Sequence, residues 1–180
     1  QRQMCIRDSG RETVKSFGVR SRFVHFEFFR LLSDHEGLGK KGDLMALEVN
    51  MRPSGGFTPD MINFARETDV YKIWADMVAY DSTQKPVGAH HFCAFAGLRD
   101  GKDFAMTPDA IIEKYTEQLK MVERMPDALS DAMGNQMYLA TFDTEEALNA
   151  FFADVTRLKE VDTSEESETA ETIVVQVERT

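Results

Sequence analysis

Three polar side chains stand at every second position in LMALEVNMRP (44–53): Glu48, Asn50 and Arg52. An acid, an amide and a guanidinium at this spacing share one face of a strand, while Leu47, Val49 and Met51 take the other. A solvated strand face accounts for simple alternation. It accounts less well for Asn in mid-strand, where that residue is disfavoured. Upstream, FVHFEFFRL (23–31) carries His25 and Glu27 among aromatics. If the two runs pair as an antiparallel hairpin, residue numbers across the ladder sum to about 75. Glu27 then faces Glu48, and His25 faces Asn50. Two carboxylates directly across a ladder, with Cβ atoms ~5 Å apart, repel each other unless a cation sits between them. Oxygen donors from two Glu and one Asn suit a hard dication such as Mg²⁺ or Mn²⁺. The planar fork of Arg52 suits a phosphate oxygen.

The elements that must position these groups follow from the surrounding sequence. SDHEGLGKKGD (33–43) joins the two runs as a glycine-rich loop. GRETVKSFGVR (10–20) reads as a short helix ending near Gly18, and Thr58-Pro59-Asp60 as a helix start. A helix from about Asp69 sets Val70, Ile73, Trp74, Met77 and Val78 on one core-facing stripe. GAHHFCAFAGL (88–98) reads as a strand. Thr107-Pro108-Asp109 opens a helix through IIEKYTEQLKMVERM, and MYLATF (137–142) is a strand. Asp143 and Glu146 then form a capping box for the helix EEALNAFFADVTRL. The expected fold class is α+β, an antiparallel sheet with packed helices.

HFEFF followed by LEVNMRPSGG resembles the C-terminal half of an ATP-grasp domain, the fold of biotin carboxylase, carbamoyl-phosphate synthetase and many carboxylate–amine ligases. That family places an acid on one strand and E-x-N-x-R on the next, ahead of a turn rich in small residues. The resemblance covers about residues 10–80 by motif and 88–158 more loosely. It implies Glu27, Glu48 and Asn50 as magnesium ligands, Arg52 as the catalytic contact to phosphate or acyl-phosphate, and His25 as a weaker ATP-binding candidate. The implied activity is ATP-dependent ligation of a small carboxylate to an amine or similar nucleophile, with ATP and Mg²⁺ (or Mn²⁺) required. A non-catalytic nucleotide-binding relative is the alternative. Where biotin carboxylase-like members carry Gln-Val-Glu-His, this chain has Pro53-Ser54-Gly55-Gly56, which argues against bicarbonate chemistry.

Other residues admit two accounts each. His25 orients a ligand or packs among aromatics. Lys40 and Lys41 reach ATP or occupy a solvated loop tip. Asp60 and Asn63 touch an acceptor substrate or serve the helix start. His90, His91 and Cys93 suggest zinc, but adjacent strand residues point to opposite faces and no fourth ligand is close.

Composition sets the outer limits. A chain of 180 residues with 42% apolar content can bury a core, and its net charge of −10 disfavours nucleic acid and anionic membranes as partners. No apolar run approaches a membrane span. Two cysteines, Cys5 and Cys93, make no disulfide framework and point to a reducing, cytoplasmic setting; a homo-oligomer is left open. Residues 1–9, QRQMCIRDS, resemble a translated sequencing-adaptor leader and are expected to be non-native, with the ATP-grasp part over 10–158. On this reading the chain is a fragment, and the wall of the cleft that holds adenine is expected upstream. The segment 159–180 is acidic and expected to be disordered, although IVVQVE (173–178) has the composition of a strand.

Overall fold

The structure, a computed structural model, describes residues 2–82, 88–159 and 173–177. It is α+β, with six helices and antiparallel sheets among the described residues. The chain divides into two units, residues 1–59 with 70–85 and residues 60–69 with 86–180.

Unit 1 begins with α1 (Arg2–Ser16), which ends as the sequence suggests but starts earlier. Gly18 takes φ +62°, and the Gly18 and Val19 amides donate to the Lys15 and Val14 carbonyls at 3.0 and 3.1 Å. This is the Schellman ending, which glycine serves best because it has no Cβ to clash. The strands β1 (His25–Arg30) and β2 (Leu44–Asn50) follow as an antiparallel pair. Their loop is long but well bonded. Leu31 donates to Asp43 at 3.0 Å and Gly42 to Leu31 at 2.8 Å. The Asp34 carboxylate accepts from the Lys41 amide at 2.9 Å and from Lys40 Nζ at 3.0 Å.

One expectation fails inside the hairpin. Glu27 pairs with Glu48 but Phe28 pairs with Ala46, so Leu47 is left over as a bulge and is 55% exposed. It does not share a buried face with Val49 and Met51, because two residues oppose one at a bulge and the alternation is interrupted there. The helix α3 (Val70–Tyr80) departs from its expected stripe too. Val70 is buried, but Trp74 is 37% and Val78 61% exposed. Trp74 stacks on Phe23 at a ring separation of 6.1 Å instead of filling a core.

Unit 2 contains most of α2 (Thr58–Arg66) and a four-stranded antiparallel sheet of order β4-β5-β3-β6. Its strands are β3 (Phe92–Leu98), β4 (Leu119–Arg124), β5 (Gln136–Phe142) and β6 (Ile173–Val177), and its helices are α4 (Pro108–Lys114), α5 (Asp127–Met133) and α6 (Glu145–Thr156). With α5 as a short insertion, the succession β-α-β-β-α-β in this strand order is the split βαβ arrangement of ferredoxin-like folds. Its core stacks Ala94 and Ala96 of β3 and Tyr138, Ala140 and Phe142 of β5 beneath Ile111, Leu148 and Phe151. Gly97 is required in the middle of β3, since an added Cβ would lie 2.0 Å from the Met133 carbonyl oxygen.

Three sequence expectations are corrected in this unit. The helix opened by Thr107 stops at Lys114, and Leu119–Arg124, expected to continue it, is strand β4. Helix-prone Lys, Met and Glu are overruled there by pairing with β5. The cap of α6 is Thr144, whose hydroxyl accepts from the Ala147 amide at 3.2 Å, and not Asp143. His90 precedes β3 instead of lying in it. The segment 173–177 is a strand, paired antiparallel with β3. Most of the acidic stretch, residues 160–172, lies outside the described residues.

Candidate functional site

The hairpin register is the one read from the sequence. His25 pairs with Asn50, Phe26 with Val49 and Glu27 with Glu48. His25, Glu27, Glu48 and Asn50 therefore share one face of unit 1, ahead of the bulge that reverses the alternation on β2. The aromatic pattern of β1 explains the placement. Phe26 and Phe28 flank Glu27, alternate with it, and contact each other edge-to-face at 6.4 Å.

Each acid already has a local partner. His25 Nε2 lies 3.2 Å from Glu27 Oε1. Asn50 Nδ2 donates to Glu48 Oε1. The Arg52 guanidinium lies 3.8 Å from that same oxygen and also donates to the Pro53 carbonyl at 3.0 Å. β2 ends at Asn50, so Arg52 reaches Glu48 from the turn after the strand, not from a strand position. His25 Nδ1 is buried and has no hydrogen-bond partner.

The donor set fits a hard dication in its chemistry: two carboxylates and an amide oxygen on one half-exposed face. Among the described residues no group of three or more His, Cys, Asp or Glu converges to hold a metal. Any ion on the hairpin would therefore take its remaining ligands from water or from phosphate oxygens.

The other sequence candidates are placed elsewhere. Lys40 is tied to Asp34, in keeping with a loop tip. Asp60 and Asn63 fall in unit 2. His91 Nδ1 is 2.9 Å from Asp143 and its Nε2 is 3.6 Å from Glu67, while His90 contacts Arg66. Cys93 is fully buried, and burial pushes its thiol up to about 12, which makes it inert as a ligand or nucleophile near neutral pH. No described helix is long and apolar enough to cross a membrane.

Comparison with protein-family models, with curated proteins and with solved structures finds no match to this chain.

Sequence reasoning missed a second concavity altogether. A cavity of about 420 Å³ in unit 2 is lined from the end of β3, the loop after it, the start of α4, the end of β4 and the beginning of β5. No short motif marks it, because its walls come from segments that only the folded sheet brings together.

Proposed function

We propose that the unit 1 hairpin is the metal- and phosphate-facing part of an ATP- and Mg²⁺-dependent ligase of ATP-grasp type. The observation that supports this reading is the register: Glu27 opposite Glu48 and His25 opposite Asn50, with Arg52 reaching back to Glu48. An amphipathic hairpin in water gains nothing from setting two acids opposite each other. Glu27, Glu48 and Asn50 would hold Mg²⁺ or Mn²⁺. The ion would supply charge neutralisation on the phosphates of ATP, whose γ-phosphoryl group would pass to a small carboxylate as ADP leaves, after which an amine or similar nucleophile would displace phosphate from the acyl-phosphate. Arg52 steadies charge on the transferred group.

One observation favours the second reading, a nucleotide-binding relative without turnover. Glu48 is already shared by Asn50 and Arg52, and Glu27 is held by His25, so the pair is partly compensated without metal.

Manganese titration followed by NMR tests the proposal on the chain as it stands. Mn²⁺ should broaden the amide signals of residues 25–27 and 48–50 saturably, more strongly with ATP present, and Glu48→Gln should remove the effect. Broadening spread over the acidic surface without preference for these strands defeats it. ATP-enhanced broadening in a protein that turns nothing over selects the second reading.

A further inference from the structure

The cavity of unit 2 owes nothing to the hairpin, and its chemistry points elsewhere. Its rim is rigid. The Arg124 guanidinium holds Asp100 through two bonds of 2.9 and 2.6 Å, and the Asp100 amide donates to Asn135 Oδ1 at 2.9 Å. The loop after β3 is clamped by the segment after α6: Ala105 donates to the Arg157 carbonyl at 2.7 Å and Lys159 to the Asp103 carbonyl at 2.8 Å.

Three features of this lining bear on what it can hold. The first is Tyr138, a lining residue that is 0% exposed and whose buried hydroxyl has no hydrogen-bond partner. Such an orphan is unusual in a native core and costs stability unless a guest satisfies it. Burial raises its pKa, opposed by Arg124 and assisted by Asp109, so the hydroxyl remains a donor. The second is cationic. Arg99 spends its guanidinium on the Ser130 and Asp131 carbonyls and Arg124 is neutralised by Asp100, but Lys102 and Lys159 make no ion pair among the described residues. The third is an apolar wall of Leu98, Phe104, Met106 and Ile111. The volume falls within the range of small-molecule sites, which combine apolar lining with a few placed polar groups.

We infer that this cavity binds a small organic monocarboxylate, its anionic end at Lys102 and Lys159, its apolar body against Phe104 and Met106, and a neutral oxygen acceptor meeting the Tyr138 hydroxyl. The inference goes beyond the ligase reading and does not depend on it, since every residue named lies in unit 2.

Three probes separate the contributions, each titrated by calorimetry into the full chain: 5-oxohexanoate, hexanoate without the acceptor, and 5-oxohexanamide without the charge. 5-Oxohexanoate should bind saturably and about 3- to 10-fold more tightly than hexanoate, the range for one neutral hydrogen bond. Tyr138→Phe should erase that difference while leaving hexanoate affinity unchanged. The double variant Lys102→Gln/Lys159→Gln, on the rim and harmless to folding, should erase the preference for acid over amide. Absence of saturable binding by the acid overturns the inference. So does discrimination between the two acids that survives in Tyr138→Phe, or an amide that binds as well as the acid.

Discussion

The hairpin of unit 1 and the four-stranded sheet of unit 2 are both antiparallel, yet no position of β1 or β2 is buried, whereas β3 and β5 are buried along nearly their whole length. The hairpin carries two acids, a histidine and an amide on one face. Among the described residues, no charged side chain is buried. Burying an unpaired charge costs far more than a hydrophobic contact returns. Ionisable groups therefore collect where water reaches them, and small and aromatic residues collect where it does not. Unit 2 is built for stability, with an opening at one end of its sheet. The hairpin is built for charge, and a two-stranded ribbon alone is marginal in water.

Removing a central ring should break this contrast most strongly. Phe151 is fully buried, edge-on to Tyr115 at 5.0 Å and tilted against Phe142 at 5.3 Å. Phe151→Ala should cost about 3–5 kcal/mol in chemical denaturation. Leu47→Ala, at the exposed bulge, should stay within about 0.5 kcal/mol. Comparable losses at the two positions would mean that the hairpin contributes to the core.

A polar tie in unit 2 comes next. The Lys114 ammonium and then the Tyr115 hydroxyl, both donating to Asp154, hold its carboxyl below the ordinary value of 3.8. A depressed folded pKa gives stability that is present above the unfolded value and lost as pH falls through the folded one. Asp154→Asn should cost about 1.5 kcal/mol near pH 7, and the difference from wild type should fade below about pH 4, as followed by thermal melts. A pH-independent difference would assign the loss to packing.

Two smaller changes should raise stability. Tyr138→Phe deletes a buried hydroxyl without a partner and should stabilise the ligand-free chain by about 1 kcal/mol. Glu27→Gln removes one of two facing acids and, in metal-free buffer, should stabilise by about 0.2–1 kcal/mol. Addition of Mg²⁺ should reverse the order of wild type and variant. If Glu27→Gln destabilises in both buffers, the contact to His25 outweighs repulsion across the ladder.

Local features were legible where local rules govern them. The register of β1 with β2 at His25–Glu27, the Gly18 helix ending and the Thr107 cap depend on alternation, turn glycine and hydroxyl caps within a few residues of one another. Strand β4 was not legible, because LKMVER has helix-forming side chains and becomes a strand only when β5 supplies its hydrogen bonds. The exposure of Trp74 was not legible either, since a helical stripe records which side chains are apolar but not whether a partner covers them.

Alternation in the sequence by itself determined that Glu27, Glu48, His25 and Asn50 share a face, since period-two geometry and loop symmetry fix a hairpin's register without reference to the rest of the chain. Only the tertiary structure decided the bulge at Leu47, the partner of β6 and the cavity at Tyr138. Each depends on contacts between segments distant in sequence: Tyr138 lies 14 residues after Arg124 and 36 residues after Lys102, and no local pattern encodes their convergence.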